Sequence, residues 1–226
     1  MFFIMRDLKK GGLALIIGTV SGFITMVFHP TGHELLAPER FTRAAYIVVA
    51  THSLALLGLP VLFLGALAIY RRVDGPNRLG LTALVIFGFG LVAGMAAAVF
   101  SGFVGPALAA GILKGEVADY DNGRLLFYLN GQLNRAFAQV FVFASALAIS
   151  LWSLAGLVGR RLPATIGIFG LLTGVGILVF LASGYLRLDI HGFGAVMLIN
   201  GIWYISTGSL LWKTTGVETS VKANVH

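Results

Sequence analysis

With no cysteine in the sequence, its five histidines and nine carboxylates are the side chains with the widest chemistry. Imidazole is the commonest protein ligand for zinc, copper and haem iron, and a neighbouring Asp or Glu often completes or orients such a site. The run His29-Pro30-Thr31-Gly32-His33-Glu34 spaces two histidines four apart, but Pro30 and Gly32 argue against a regular helix. It is therefore not the zinc-peptidase pattern, which needs a continuous helix with Glu directly after the first His. A loop site could still draw a metal ion from His29, His33 and Glu34, with Asp189 and His191 arriving from the other end of the chain. The alternative is that interfacial histidines anchor helix ends or cap them by hydrogen bonding.

A second group lies in or beside apolar sequence. Gln132, Arg135 and Gln139 fall three and four apart, so they share one helix face, which Ser150 and Ser153 continue. An Arg this close to hydrocarbon must snorkel, pair with an acid or line a wet cavity. With His52 at a depth comparable to Gln139, these residues are candidates for a ligand pocket; the alternative is polar glue between helices. A b-type haem would need two histidines at matching depth on different helices. His52 has no partner at its level unless His29 or His191 tilts strongly towards it. No serine-nucleophile motif or phosphate loop occurs, so no catalytic residue is assigned. No acid falls within the apolar spans, which counts against a carboxylate-driven carrier.

The elements that must position these residues follow from composition. Of 226 residues, 58% are hydrophobic and 11% charged, where a soluble domain has about 25% charged. Disorder, a disulfide framework and thiol chemistry are excluded together. The net charge of +7 comes from basic residues set between apolar runs, not striped on one face, so no nucleic-acid partner is expected. Six runs are long enough for a bilayer core about 30 Å thick, over residues 13–28, 44–70, 79–103, 136–158, 164–183 and 193–212. The alternation of a membrane barrel is missing. The expected fold is all-α, a polytopic membrane bundle of six transmembrane helices. It forms a single domain over 1–212, followed by a polar, irregular tail over 213–226.

Arg6, Lys9 and Lys10 before the first run also suit a signal peptide, but no small-x-small cleavage pattern follows, so a retained helix is expected. One side of the bundle would hold ten basic residues against three acids, among them Arg71, Arg72, Arg78, Arg160 and Arg161. The other would hold six basic residues against six acids. By the positive-inside rule both termini are cytoplasmic, with the protein in a bacterial cytoplasmic (inner) membrane. Two long outer loops are expected over 29–43 and 105–135, the second with a short helix near 106–113.

Small residues every fourth position let helices approach closely in lipid. Gly90, Gly94, Ala98 and Gly102 make one such stripe, Gly18 and Gly22 a second, and Gly170 and Gly174 a third. They serve either as seams within the chain or as a homo-oligomer face. Pro60 should bend the second helix.

Asn134-Arg135-Ala136-Phe137, Arg160-Arg161-Leu162-Pro163 and the glycine-rich run from Gly167 to Gly176 resemble an uncharacterised bacterial six-helix membrane family, domain of unknown function 4386. The likeness covers most of the chain through helix spacing and the basic-Pro turn. It implies the fold and no activity, and the His29 to Glu34 run is not part of it. The expected function is a non-enzymatic membrane protein that binds a ligand, a lipid or a partner within the bilayer. The alternatives are a metal- or haem-binding protein using the outer histidines, and a small-molecule transporter.

Overall fold

The structure is a computed structural model. It describes the backbone of residues 2–29, 32–74, 78–116 and 120–223, and the side chains of 8–29, 34–74, 78–116, 121–189 and 191–213. The described residues are helical, without strands: α1 Phe2–Val27, α2 Pro38–Val73, α3 Leu79–Val99, α4 Gly105–Leu113, α5 Tyr120–Val158, α6 Ala164–Ala182 and α7 Ile190–Ala223. A 3-10 turn, Gly32–Leu36, leads into α2, and a π-helical turn, Phe100–Val104, fuses α3 to α4. Six helical stretches are long and apolar enough to cross a membrane, with α3 and α4 counting as one.

Four helices are longer than their hydropathy suggested, α1 among them because it begins at Phe2. α2 starts at Pro38, where proline's fixed φ suits the first turn after the extended Ala37. α5 begins at Tyr120, so most of the long loop expected over 105–135 is helix. Its polar residues lower hydropathy without lowering helix propensity much, since Gln, Arg and Leu are all good helix formers. α7 likewise runs past Trp212 to Ala223, where an irregular tail was expected.

α2 has 36 residues and α5 has 39, roughly 54 and 58 Å of helix against a hydrocarbon core of about 30 Å. The surplus lies at one end. α1 pairs antiparallel with α2, Gly18 against Leu62 and Thr25 against Thr51, so α2 outruns the end of α1 by several turns. There Leu35, Ala44, Val48 and Ala109, with Phe41 and Phe127, form a small apolar cap joining α2, α4 and α5. This is the histidine end of the molecule.

The six spans close into a ring. α1 lies between α2 and α7, α6 packs on α5 and α7, α5 on α3, and α3 on α2. The first and last helices, α1 and α7, are therefore neighbours. The glycine stripes are seams of this ring: Gly90 and Gly94 meet Ala144 and Phe141, Gly18 meets Leu62, Gly22 meets Met197, and Gly170 and Gly174 meet Ser153 and Ser150.

The opposite, arginine end is filled by aromatic rings. Trp152 stacks on Trp203 at 6.3 Å between centroids, and Phe87 meets Trp152 edge-on at 5.3 Å. Each indole N–H is satisfied, Trp152 Nε1 donating to the Gly80 carbonyl at 3.1 Å and Trp203 Nε1 to that of Ile166 at 3.2 Å. Those acceptors sit in the first turns of α3 and α6, so the two rings also fix where these helices begin. Across the end, Arg72 Nε donates to the Arg161 carbonyl at 3.0 Å.

Candidate ligand cavity

Inside the ring, between the aromatic plug and the cap, lies a cavity of about 570 Å³ bounded by α1, α2, α3, α5, α7 and the turn before α7. Its wall on α5 is Gly131, Asn134, Arg135, Ala138, Phe141 and Ser145. These positions recur at three and four, so they form one stripe along the helix. On α7 the wall is Phe193, Met197, Asn200, Gly201 and Tyr204, again at helical spacing. The middle is apolar, with Leu59 and Leu62 of α2 facing Phe141 and Met197.

The floor is polar and short of partners. Ser145, Asn200 and Tyr204 are 2%, 4% and 5% exposed. Among the described residues, Ser145 Oγ, Asn200 Oδ1 and the Tyr204 hydroxyl find no hydrogen-bond partner of acceptable geometry. Ser145 does stand near enough to influence the Tyr204 hydroxyl, so the two face one another without closing a bond. A buried polar group without a partner costs about 1–3 kcal/mol, and three along one cavity mark a place that a polar guest completes.

The upper wall carries the histidines. His29, just past the end of α1, meets His52 of α2 edge to face, with ring centroids 4.9 Å apart. The sequence placed them at different depths. Because the extra turns of α2 lie at the histidine end, His52 comes level with the end of α1. His52 is 4% exposed, and its Nδ1 lies 2.7 Å from the Val48 carbonyl oxygen. Its ring rests on the π-helical turn, where a methyl group at Gly102 would overlap it. The same turn presents the Phe100 carbonyl, which accepts from Asn130 Nδ2 at 3.1 Å. π-turns are rare and recur at functional sites.

Asp189 lines the cavity from the turn before α7. Its Oδ1 accepts from the backbone N–H of Gly192 at 2.9 Å and of His191 at 3.1 Å, so it caps α7. Those bonds, Gly192 first, hold its carboxyl below the usual carboxylate range, and the charges of His191 and Arg187 act in the same direction.

No family model matches the chain, and no curated protein and no solved structure is significantly similar to it. The site is therefore read from its own geometry.

Of the residues singled out in the sequence, His29, His52, Arg135 and Asp189 share this cavity. Gln139 is exposed and Gln132 half-buried, and neither lines it. The stripe on α5 centres on Ala138, about 100° around the helix from Gln139, and shares Arg135 with the expected face. Ser150 and Ser153 belong to the seam with α6 instead. His191 is exposed off the cavity, Glu34 is half-buried in the 3-10 turn, and the side chain of His33 lies outside the described residues. Among the described residues no three of His, Asp and Glu gather around a common point, so the five-residue metal set does not assemble there. A haem between His29 and His52 would need a porphyrin plane between the rings, and their edge contact leaves no gap for one.

Asn200, Tyr204 and Ser145 were missed. The signal was present in Asn200 and Tyr204, two polar groups one turn apart in an apolar span.

Proposed function

We propose that the protein is a multi-pass membrane protein that binds a small amphipathic molecule in this cavity, acting by binding and not by catalysis. The observation that carries this reading is the trio Ser145 Oγ, Asn200 Oδ1 and the Tyr204 hydroxyl, buried and without a hydrogen-bond partner among the described residues, along a cavity of about 570 Å³. That volume falls among ordinary small-molecule sites. The trio carries hydroxyl and amide groups and no charge, so the inner end of the guest is an uncharged group able to give and take hydrogen bonds. Phe141, Phe193 and Met197 suit an apolar middle. Arg135 and Asp189, one of each sign, suit a polar outer end.

The aromatic plug of Phe87, Trp152 and Trp203 stands beneath the floor, which favours entry from the histidine end. The basic residues at the arginine end favour a bacterial inner-membrane orientation with both termini cytoplasmic. The likeness to the six-helix family rests on helix spacing and basic-Pro turns, and adds no ligand.

Native mass spectrometry of protein released from its own membranes tests the reading. One small molecule per chain is expected with wild type, lost on Gly131→Trp. Gly131 lines the cavity and a Cβ there meets nothing within 4 Å, so the indole fills the space and not a neighbour. Equal retention by both proteins, or none by wild type, contradicts it.

A further inference from the structure

The cavity has polar groups at both ends, and two helices measure the distance between them. Ser145 lies ten residues beyond Arg135 on α5, and Asn200 eleven beyond Asp189 along α7. At about 1.5 Å of rise per residue, both separations are roughly 15–17 Å. Between them Ala138, Phe141, Phe193 and Met197 offer an apolar wall. Thr19 and Thr25 also line the cavity, but their hydroxyls already donate to helix carbonyls, Thr19 to that of Leu15 and Thr25 to those of Ser21 and Thr51. A guest with one polar head would lay its plain tail against Ser145, Asn200 and Tyr204 and leave their buried polar atoms unsatisfied.

The chemistry of each end follows from what is left unmatched there. The side-chain carbonyl oxygen of Asn200 only accepts, so the inner end of the guest must donate to it. The hydroxyls of Ser145 and Tyr204 can donate, so the same end must also accept. A ketone, ester or ether fails the first requirement and an ammonium the second; a hydroxyl meets both. At the outer end Arg135 lines the cavity, and among the described residues no carboxylate pairs with it. Asp189 is already matched, because its Oδ1 accepts from the His191 and Gly192 N–H groups at the positive end of α7. The charge left over at the mouth is therefore positive, and a guanidinium binds a carboxylate through two parallel hydrogen bonds.

Carbon–carbon bonds of about 1.52 Å at angles near 111° advance an extended chain by roughly 1.25 Å per carbon, so about twelve carbons span the apolar stretch. We infer, given the ligand cavity proposed above, that its guest is a linear aliphatic acid of about twelve carbons ending in a hydroxyl. The carboxylate sits on Arg135 and the hydroxyl among Ser145, Asn200 and Tyr204.

Calorimetric titration of the protein in nanodiscs, with empty nanodiscs subtracted, tests this with three probes: 12-hydroxydodecanoate, dodecanoate and 1,12-dodecanediol. Wild type should bind the hydroxy acid roughly tenfold or more tightly than either of the others. Arg135→Gln should weaken both acids by roughly tenfold or more and leave the diol unchanged. Asn200→Leu, and independently Tyr204→Phe, should narrow the preference for the hydroxy acid over dodecanoate. Thermal melting confirms that each variant is folded. The inference is overturned if dodecanoate or the diol binds wild type as tightly as the hydroxy acid, or if folded Arg135→Gln binds the acids like wild type. Full preference for the hydroxy acid in both folded floor variants overturns it too. Wild type that retains a small molecule from its own membranes, lost on Gly131→Trp, yet binds no hydroxy acid overturns this inference alone. Wild type that retains none and binds none of the three probes overturns the cavity reading with it.

Discussion

At the scale of single residues, the unpartnered groups of the floor make a prediction whose sign is informative. Removing a buried hydroxyl that has no partner relieves a desolvation cost, so Tyr204→Phe should leave the empty protein as stable or raise its stability by about 1 kcal/mol. Chemical denaturation checks it, and a loss of more than about 1 kcal/mol would mean that the hydroxyl is bonded. Asp189 predicts a pH effect. Its folded pKa is depressed, so the stability it adds is present above the ordinary carboxylate range and lost as pH falls through the folded value. Hydrogen exchange at the first turn of α7, corrected for intrinsic rates, should quicken as the solution is acidified below that range. Asp189→Ala should show fast exchange at every pH. Residue types were legible in the sequence, but which of them meet was not. His29 and His52 are neighbours only because α2 is longer at one end than its apolar run, and that length is set by Pro38 and a helix-forming polar stretch.

At the scale of elements, two glycines of one fold predict opposite outcomes. Gly131 lies inside α5 with open space at its Cβ position, so Gly131→Ala should stabilise by about 0.5–1 kcal/mol through helix propensity alone. Gly102 seats His52 on the π-helical turn, so Gly102→Ala should destabilise by about 1–3 kcal/mol through overpacking. Melting of both variants in the same detergent decides. The six apolar spans were legible because a bilayer imposes a length that few other structures need. Their starts were less so, since hydropathy falls at Asn130 to Arg135 while the α5 backbone continues unbroken. Of the expected α5 face, Arg135 lines the cavity and Gln132 and Gln139 do not. The cavity chose Gly131, Asn134 and Ala138, whose smallness leaves the room.

At the scale of the whole molecule, the ring brings α1 and α7 together and places a polar-floored cavity above an aromatic plug. Orientation is the remaining global property, and a phosphatase active only in the periplasm, fused after Trp212, should be inactive if the arginine end is cytoplasmic. The central claim is that the floor can be reached from the histidine end and not from the arginine end. The chain has no cysteine, so Ser145→Cys introduces a single thiol with little change in shape. Ser153→Cys is its control, in the seam with α6 where Ser153 has no exposure. Both are treated with a small membrane-impermeant methanethiosulfonate reagent, applied separately to each face of sealed membranes. The thiol at 145 should react only from the face carrying the histidine end, and the thiol at 153 from neither. A thiol at 145 as unreactive as that at 153, or one that reacts from the arginine end, would contradict the account.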